Sequence, residues 1–567
     1  MAQRAAKTPV GRVGSLPLVL AATAFSGLGW ACYVQFGHLL VIALYDGQMP
    51  VALLNQIIKK QAVHPLHYYL DKADAAARGF FLLIFVAGLI GGAYKALVEK
   101  YPGTVLSRPL AGGIVIATSL FWASHLFKVP LLQILPYWFW SLHDKPLPWI
   151  WLCLPLALMA YVILGSIFSN PTRHWRNLAL VALLGFALQH GFALMEGRGL
   201  AAMSDRIVLS GHTALARAAV EQESFGRVLG QYETLLQEGE LPPFPHATKP
   251  PGLLLFLMAA ERVTGLFGGG SVGDELDRLA TFATLVFPLL SYLTLVPLYF
   301  LCRLYAGAEE ALVALVLFAT MPNTALITLH ADQYLYPFLG VLFVYVYALA
   351  ASGDHRLLAA LAGVVFYLAL LASFALVALA PLVLSVVATG MDRQKPPWSE
   401  ALRVVALCLL GFALCHLVFW LAFDYDVARR YRLAMAAHQA FKVGHWHLGH
   451  RLYFGFLNSV EFAVWCGLPV AILCGANLQR AVVGWRRSEW ALGHVLAISL
   501  VLIFCALVAA GKTAAETGRL WLFLVPLVAI CGARELRLSG SGQGTVRAVV
   551  LAQLTTILVL KSYQDFF

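Results

Sequence analysis

The chain has 567 residues, of which 60% are hydrophobic and only 12% charged, with a formal net charge of +11. Its mean hydropathy is +0.76, and a soluble protein of this length could not keep so much apolar surface from water. The positive charge does not indicate nucleic acid, since no basic stripe interleaved with aromatics lies on a polar domain; lysines and arginines in short cytoplasmic loops account for it.

Apolar stretches of roughly 17–25 residues recur along the chain, each able to cross about 30 Å of hydrocarbon as a helix. Nothing shows the dyad alternation of a barrel, so the expected class is an all-α polytopic membrane protein. The chain opens with Arg4, Lys7 and Arg12 before a run from Leu16 to Tyr45, far longer than a signal-peptide core. That run reads as a first anchor. About fifteen spans are expected, near 15–44, 79–97, 109–128, 148–168, 176–196, 280–302, 309–328, 334–351, 357–373, 375–390, 404–423, 460–478, 491–511, 519–533 and 547–562. All nine cysteines lie in or beside apolar runs without a Cys-x-x-Cys pair, and read as core residues. No repeat divides the chain.

Between the fifth and sixth spans lies a polar segment, 197–279, expected as a large extracytoplasmic loop. Residues 253–268 within it are apolar, but carry Glu261 and Arg262. A charge at mid-membrane costs about 3 kcal/mol, so this stretch is expected as a re-entrant or interfacial helix. Phe225, Val228, Leu229, Tyr232, Leu235 and Leu236 recur at helical spacing. They suit a helix lying on the membrane surface or one packed on neighbouring loops.

With the N-terminus inside, 95–108, 172–176, Arg303, 392–403, 479–488 and 534–547 fall in the cytoplasm. The segment 197–279, the turn around His330 and Asp332, 424–457 and 511–518 fall outside. Segment 424–457 departs from the positive-inside pattern with Arg429, Arg430, Arg432, Lys442 and Arg451; these could meet lipid phosphates.

The candidate site residues sit in those outer segments. Asp205, in Ser204-Asp205-Arg206, could take a proton from an acceptor hydroxyl, or cap a helix or pair with Arg206. Glu196 at the span's end is a rival. Lys249 precedes Pro250-Pro251, which deny helical continuation, and with His246 it could capture a lipid-linked phosphate or simply snorkel at a helix start. His330-Ala331-Asp332 follows Met321-Pro322-Asn323 at a junction of spans, and such polar groups are expensive unless they face a cavity. Lys512, Glu516 and Arg519 form a short outer turn where Arg519 could grip phosphate or anchor beside Trp521. His438, His445, His447 and His450 invite a zinc reading, but without paired cysteines or acids surface histidines are expected instead. No metal site is assigned, and a divalent cation is left open as an assistant.

A span, an outer loop bearing an acid, and a Lys-Pro-Pro string opening a short apolar helix together resemble the GT-C membrane glycosyltransferases. The family-39 protein mannosyltransferases and the aminoarabinose transferases of lipid A are the nearest in pattern. Arg303-Leu304-Tyr305-Ala306-Gly307, the Met321-Pro322 step and Asp332 follow in the same order. The resemblance covers about 173–390. It implies a catalytic membrane module there, an N-terminal extension over 1–172 and a C-terminal membrane region over 391–567. It further implies an inner (plasma) membrane enzyme that moves a sugar from a polyprenyl-phosphate donor to a lipid, glycan or protein acceptor outside the cytoplasm. Asp205 would then be the base, Asp332 would support acceptor or donor hydroxyls, and Lys249 and Arg519 would stabilise the leaving phosphate. The family places Asp-Glu immediately after the module's first span, whereas Asp205 comes about nine residues later, and His212 could share its role. A transporter or flippase of a lipid-linked sugar is the alternative, and a non-catalytic envelope scaffold a third.

Overall fold

A computed structural model describes residues 108–126, 132, 135, 138, 140, 142–143, 145–208, 213–266, 268, 271–327, 333–353, 355–382, 398–441, 448–486, 492–511, 513 and 516–564. The expected spans 15–44 and 79–97 lie outside the described residues, as do His212, His330, Asp332, Lys512, Lys442, His445 and His447. Among the described residues the regular structure is helical, without strands.

The chain runs through α1 (Arg108–Leu126), α2 (Cys153–Ser169) and α3 (His174–Leu194), then the short α4 (Ala201–Val208), α5 (Thr213–Glu221), α6 (Phe225–Gly230) and α7 (Tyr232–Gln237). Next come α8 (Gly252–Gly265), α9 (Val272–Ser291), α10 (Leu295–Arg303), α11 (Ala308–Ala319), α12 (Tyr336–Ser352) and α13 (Arg356–Ala372). The last part holds α14 (Trp398–Phe423), α15 (Val427–Phe441), α16 (Leu448–Cys466), α17 (Leu468–Arg486), α18 (Leu492–Ala510), α19 (Thr517–Leu520), α20 (Val525–Leu538) and α21 (Gln543–Tyr563).

Six helices are long and apolar enough to cross a membrane, or seven if one bent pair counts as a span; shorter apolar helices cover Leu110–Leu126, Tyr336–Ser352 and Arg356–Ala372. The chain is an integral membrane protein. On α14 the side chains of Leu409, Leu414, Val418 and Leu421 stand exposed, as expected of a helix facing lipid. Its other side presses on α13, where a methyl at Gly363 or Gly411 would overlap the backbone of Cys408 or Ala360. Small residues let these two backbones approach without a clash.

Two expected spans are broken. Residues 309–328 form α11 and then, past Met321-Pro322, a π-helical turn at Asn323–Ile327. The stretch 460–478 straddles a bend of 118° between α16 and α17. Gly467 at the bend has φ +80, and Pro469 follows it within the first turn of α17. A left-handed glycine ends one helix and a proline early in the next starts another, so no straight helix can form there.

The polar segment after α3 is folded on its own core. Ile207, Leu215, Val228, Tyr232, Leu235, Leu253 and Leu257 pack together against Leu279, Ala283 and Phe287 of α9. The amphipathic stretch 225–236 therefore packs on neighbouring helices. It divides into α6 and α7 at Gly230, where a methyl would come within 2.7 Å of the Phe423 carbonyl oxygen. The 14 residues of α8 reach only about 21 Å, too short to span.

All of this lies at one end of the bundle. α4 packs on α3, and α5 packs on α4 and α8. The Trp140 ring lies 4.5 Å from that of Trp465 on α16, and the Trp140 carbonyl accepts a bond from Gln564 just past α21, so α16 and the end of α21 meet there. The end of α21 in turn meets the end of α3 through Lys561 and Glu196.

Candidate active site

The site begins where α3 stops. Trp149 donates its backbone N–H to the Met195 carbonyl at 3.2 Å, tying the start of α2 to the end of α3. Gly197 and Gly199 have φ of +72 and +60, so the chain turns sharply on either side of Arg198. At Gly197 a side chain would also run into the ring of Pro148, with 2.5 Å to its Cγ.

Glu196, the first acid beyond the helix, collects cations from four directions. Lys145 and Arg206 each lie 3.0 Å from Oε1, the Lys561 ammonium pairs with the same oxygen, and Arg198 stands 4.0 Å from Oε2. Burial alone would raise its pKa, but Lys561, Arg206 and Lys145 together outweigh burial and hold the carboxyl below its ordinary value. Glu196 is thus an ionised anchor and a poor proton acceptor. Asp205, on α4, is paired with Arg198 and keeps about a quarter of its side chain exposed, at 26%.

Backbone pairing brings two of these lysines together. Lys145 and His143 donate their N–H groups to the carbonyls of Ser562 and Tyr563, both at 2.9 Å. The Gln564 side chain donates to the Trp140 carbonyl at 2.9 Å, and its oxygen meets His125 Nε2 at 2.9 Å. Sequence reasoning passed over Lys145 and Lys561. A lysine at a span's end is an ordinary snorkelling residue, and nothing in its neighbours announces a buried partner.

A second group surrounds the Lys-Pro-Pro turn. His246 is fully buried, its Nδ1 2.9 Å from the Pro242 carbonyl oxygen. Burial pushes its pKa down to about 4, against the raising effect of that carbonyl and with help from Lys249. The ring therefore sits neutral beneath the turn. The Lys249 N–H donates to the His246 carbonyl at 3.1 Å, leaving Lys249 half-buried at the head of α8. Arg430 of α15 donates from Nη1 to both Glu233 oxygens at 2.7 Å and from Nη2 to the Ala247 carbonyl. Gly252 just beyond has no room for a side chain, because a methyl there would overlap the Leu371 carbonyl.

A third group forms at α19. Arg519 pairs with Glu516, which adopts a left-handed φ of +58. Nearby, the buried carboxylate of Glu461 accepts the Gly518 N–H at 3.1 Å. Thr517 donates to the Asn458 carbonyl at 3.0 Å, and the Asn458 amide donates to the Thr513 carbonyl at 2.8 Å. Glu461 falls inside an expected span, so its apolar neighbours concealed it.

These elements define a polytopic helical membrane protein with charged groups collected at one end of its bundle. No known family matches the chain, and no curated protein matches it. Among solved structures it is similar to the oligosaccharyltransferase of Archaeoglobus fulgidus, crystallised with zinc and sulfate. The identity is 14% and the TM-score 0.35, over 56% of this chain and 45% of that one. The chain thus spans under half the length of that relative.

Proposed function

We propose that the protein is a membrane glycosyltransferase that moves a sugar from a polyprenyl-phosphate-linked donor to a lipid, glycan or protein acceptor at the extracytoplasmic face. The observation that carries this reading is the gathering of Lys145, Arg198, Arg206 and Lys561 around Glu196 and Asp205. Inside it, cations buried against Glu196 leave Asp205 nearer to solvent. A phosphate leaving group needs exactly such fixed positive charge, because the reaction develops negative charge on it. Asp205 takes the proton of an acceptor hydroxyl while that oxygen attacks the anomeric carbon. The bond from carbon to the phosphate oxygen breaks, and the polyprenyl phosphate departs with the electron pair. Lys249 and Arg519 serve the donor phosphate from the other two groups.

The test uses the full chain in liposomes with an undecaprenyl-phosphate-linked sugar. Asp205→Ala should abolish transfer without loss of insertion or of donor binding. Full transfer by that variant removes Asp205 from the mechanism. Lys249→Ala should raise the donor KM, and an unchanged KM argues against its phosphate role.

One observation favours a transporter instead. The 118° break between α16 and α17, with Glu461 buried beside it, is the kind of discontinuous helix on which transport sites are built. Movement of a labelled lipid-linked sugar across vesicles without any acceptor would select that reading.

A further inference from the structure

We infer that Arg198 is an exchangeable partner: it holds Asp205 in the resting protein and leaves it for the phosphate of an incoming ligand, so that anion binding frees the carboxylate. This rests on the reading of Asp205 as the proton acceptor.

Four cations meet the two acids here, and they are not equivalent. The side chains of Lys561, Arg206 and Lys145 are 0%, 3% and 14% exposed, whereas that of Arg198 is 51% exposed. Glu196 is already compensated by the three enclosed cations, with Arg198 only at 4.0 Å from its second oxygen. Arg198 is therefore surplus to the anchor, and its close partner is Asp205. A half-exposed ion pair is weak, because water competes for both ends. Breaking the enclosed Lys561–Glu196 pair would instead strand a buried charge. Of the four, Arg198 is the cation that can change partner at small cost.

The backbone permits the exchange. Arg198 stands between two left-handed glycines, and a side chain at Gly199 would meet open space. The planar guanidinium fork donates two parallel N–H bonds to a pair of anionic oxygens, which a phosphate offers as well as a carboxylate does. While Arg198 occupies Asp205, that oxygen cannot receive an acceptor's proton. Once the phosphate draws the guanidinium away, the base is open and the donor is seated. Chemistry would then start only when donor is bound.

The exchange makes an unusual demand: removing the carboxylate should strengthen phosphate binding. The experiment measures binding of undecaprenyl phosphate, phosphatidylglycerol and inorganic phosphate to the full chain in phosphatidylcholine nanodiscs. Asp205→Asn should bind a phosphate several-fold more tightly than the unaltered protein, and Arg198→Ala about tenfold more weakly, the loss of one charge-assisted pair. Arg198→Lys, which keeps the charge but not the fork, should fall between Arg198→Ala and the unaltered protein. A gain for undecaprenyl phosphate places the lipid donor at Arg198, a gain for phosphatidylglycerol a bilayer headgroup, and a gain for inorganic phosphate a free anion; each upholds the exchange. Unchanged or weaker binding of all three by Asp205→Asn overturns it. Failure of the reading of Asp205 as the proton acceptor shows separately, as full sugar transfer by Asp205→Ala.

Discussion

The ammonium of Lys561 and the carboxylate of Glu196 meet across 365 residues of sequence. One comes from the end of the last helix and the other from the end of α3. Their contact joins those two helix ends beside Lys145, Arg198, Arg206 and Asp205.

Breaking that contact should be costly. Lys561→Met leaves Glu196 buried with less compensation, and a loss of about 3 kcal/mol is expected for one partner of an enclosed pair. Chemical unfolding in detergent measures it. The double variant with Glu196→Gln should lose less than the two single losses added together.

Stability should also depend on His246. Its folded pKa is about 4 against an ordinary 6.5, so between those values the unfolded chain binds a proton that the folded chain does not. Stability is then complete above pH 6.5 and falls as the pH drops towards 4, by roughly 3 kcal/mol from this residue. His246→Gln should flatten that part of the curve relative to the unaltered protein in thermal melts at stepped pH.

The bend at Gly467 should not tolerate a side chain. Gly467→Ala forces a methyl into φ +80 and onto the Gln553 amide, which donates to the Cys466 carbonyl at 2.8 Å. The left-handed conformation alone costs about 1–2 kcal/mol, and the overlap adds to it. Adding Gln553→Ala should recover the overlap but not the backbone cost. Melting temperatures of the single and double variants decide this.

Arg430 should govern the Lys-Pro-Pro turn from a distance. Arg430→Ala removes its bonds to Glu233 and to the Ala247 carbonyl. Amide exchange across 243–249 should quicken by about tenfold, as local opening becomes easier. Exchange in α21 should stay unchanged.

Some of this was readable from residues alone. That 253–268 is not a span followed from its length and from Glu261 and Arg262, and α8 has only 14 residues. The Pro250-Pro251 turn was visible because proline acts locally. The break at Gly467 was missed, although Gly467 and Pro469 carry the signal, because the surrounding hydropathy is continuous. Asp205 was weighed as a partner of Arg206, yet Arg206 turns to Glu196 and Asp205 pairs with Arg198.

What the sequence determined by itself was the class of protein and the places where polar residues collect. Those follow from the cost of exposing apolar surface to water and of burying charge in lipid, and each is felt residue by residue. Tertiary structure alone decided which charge faces which. Lys145, Arg206 and Lys561 reach Glu196 because helix packing brings their ends together, and an ion pair leaves no spacing in the chain by which it could be foreseen.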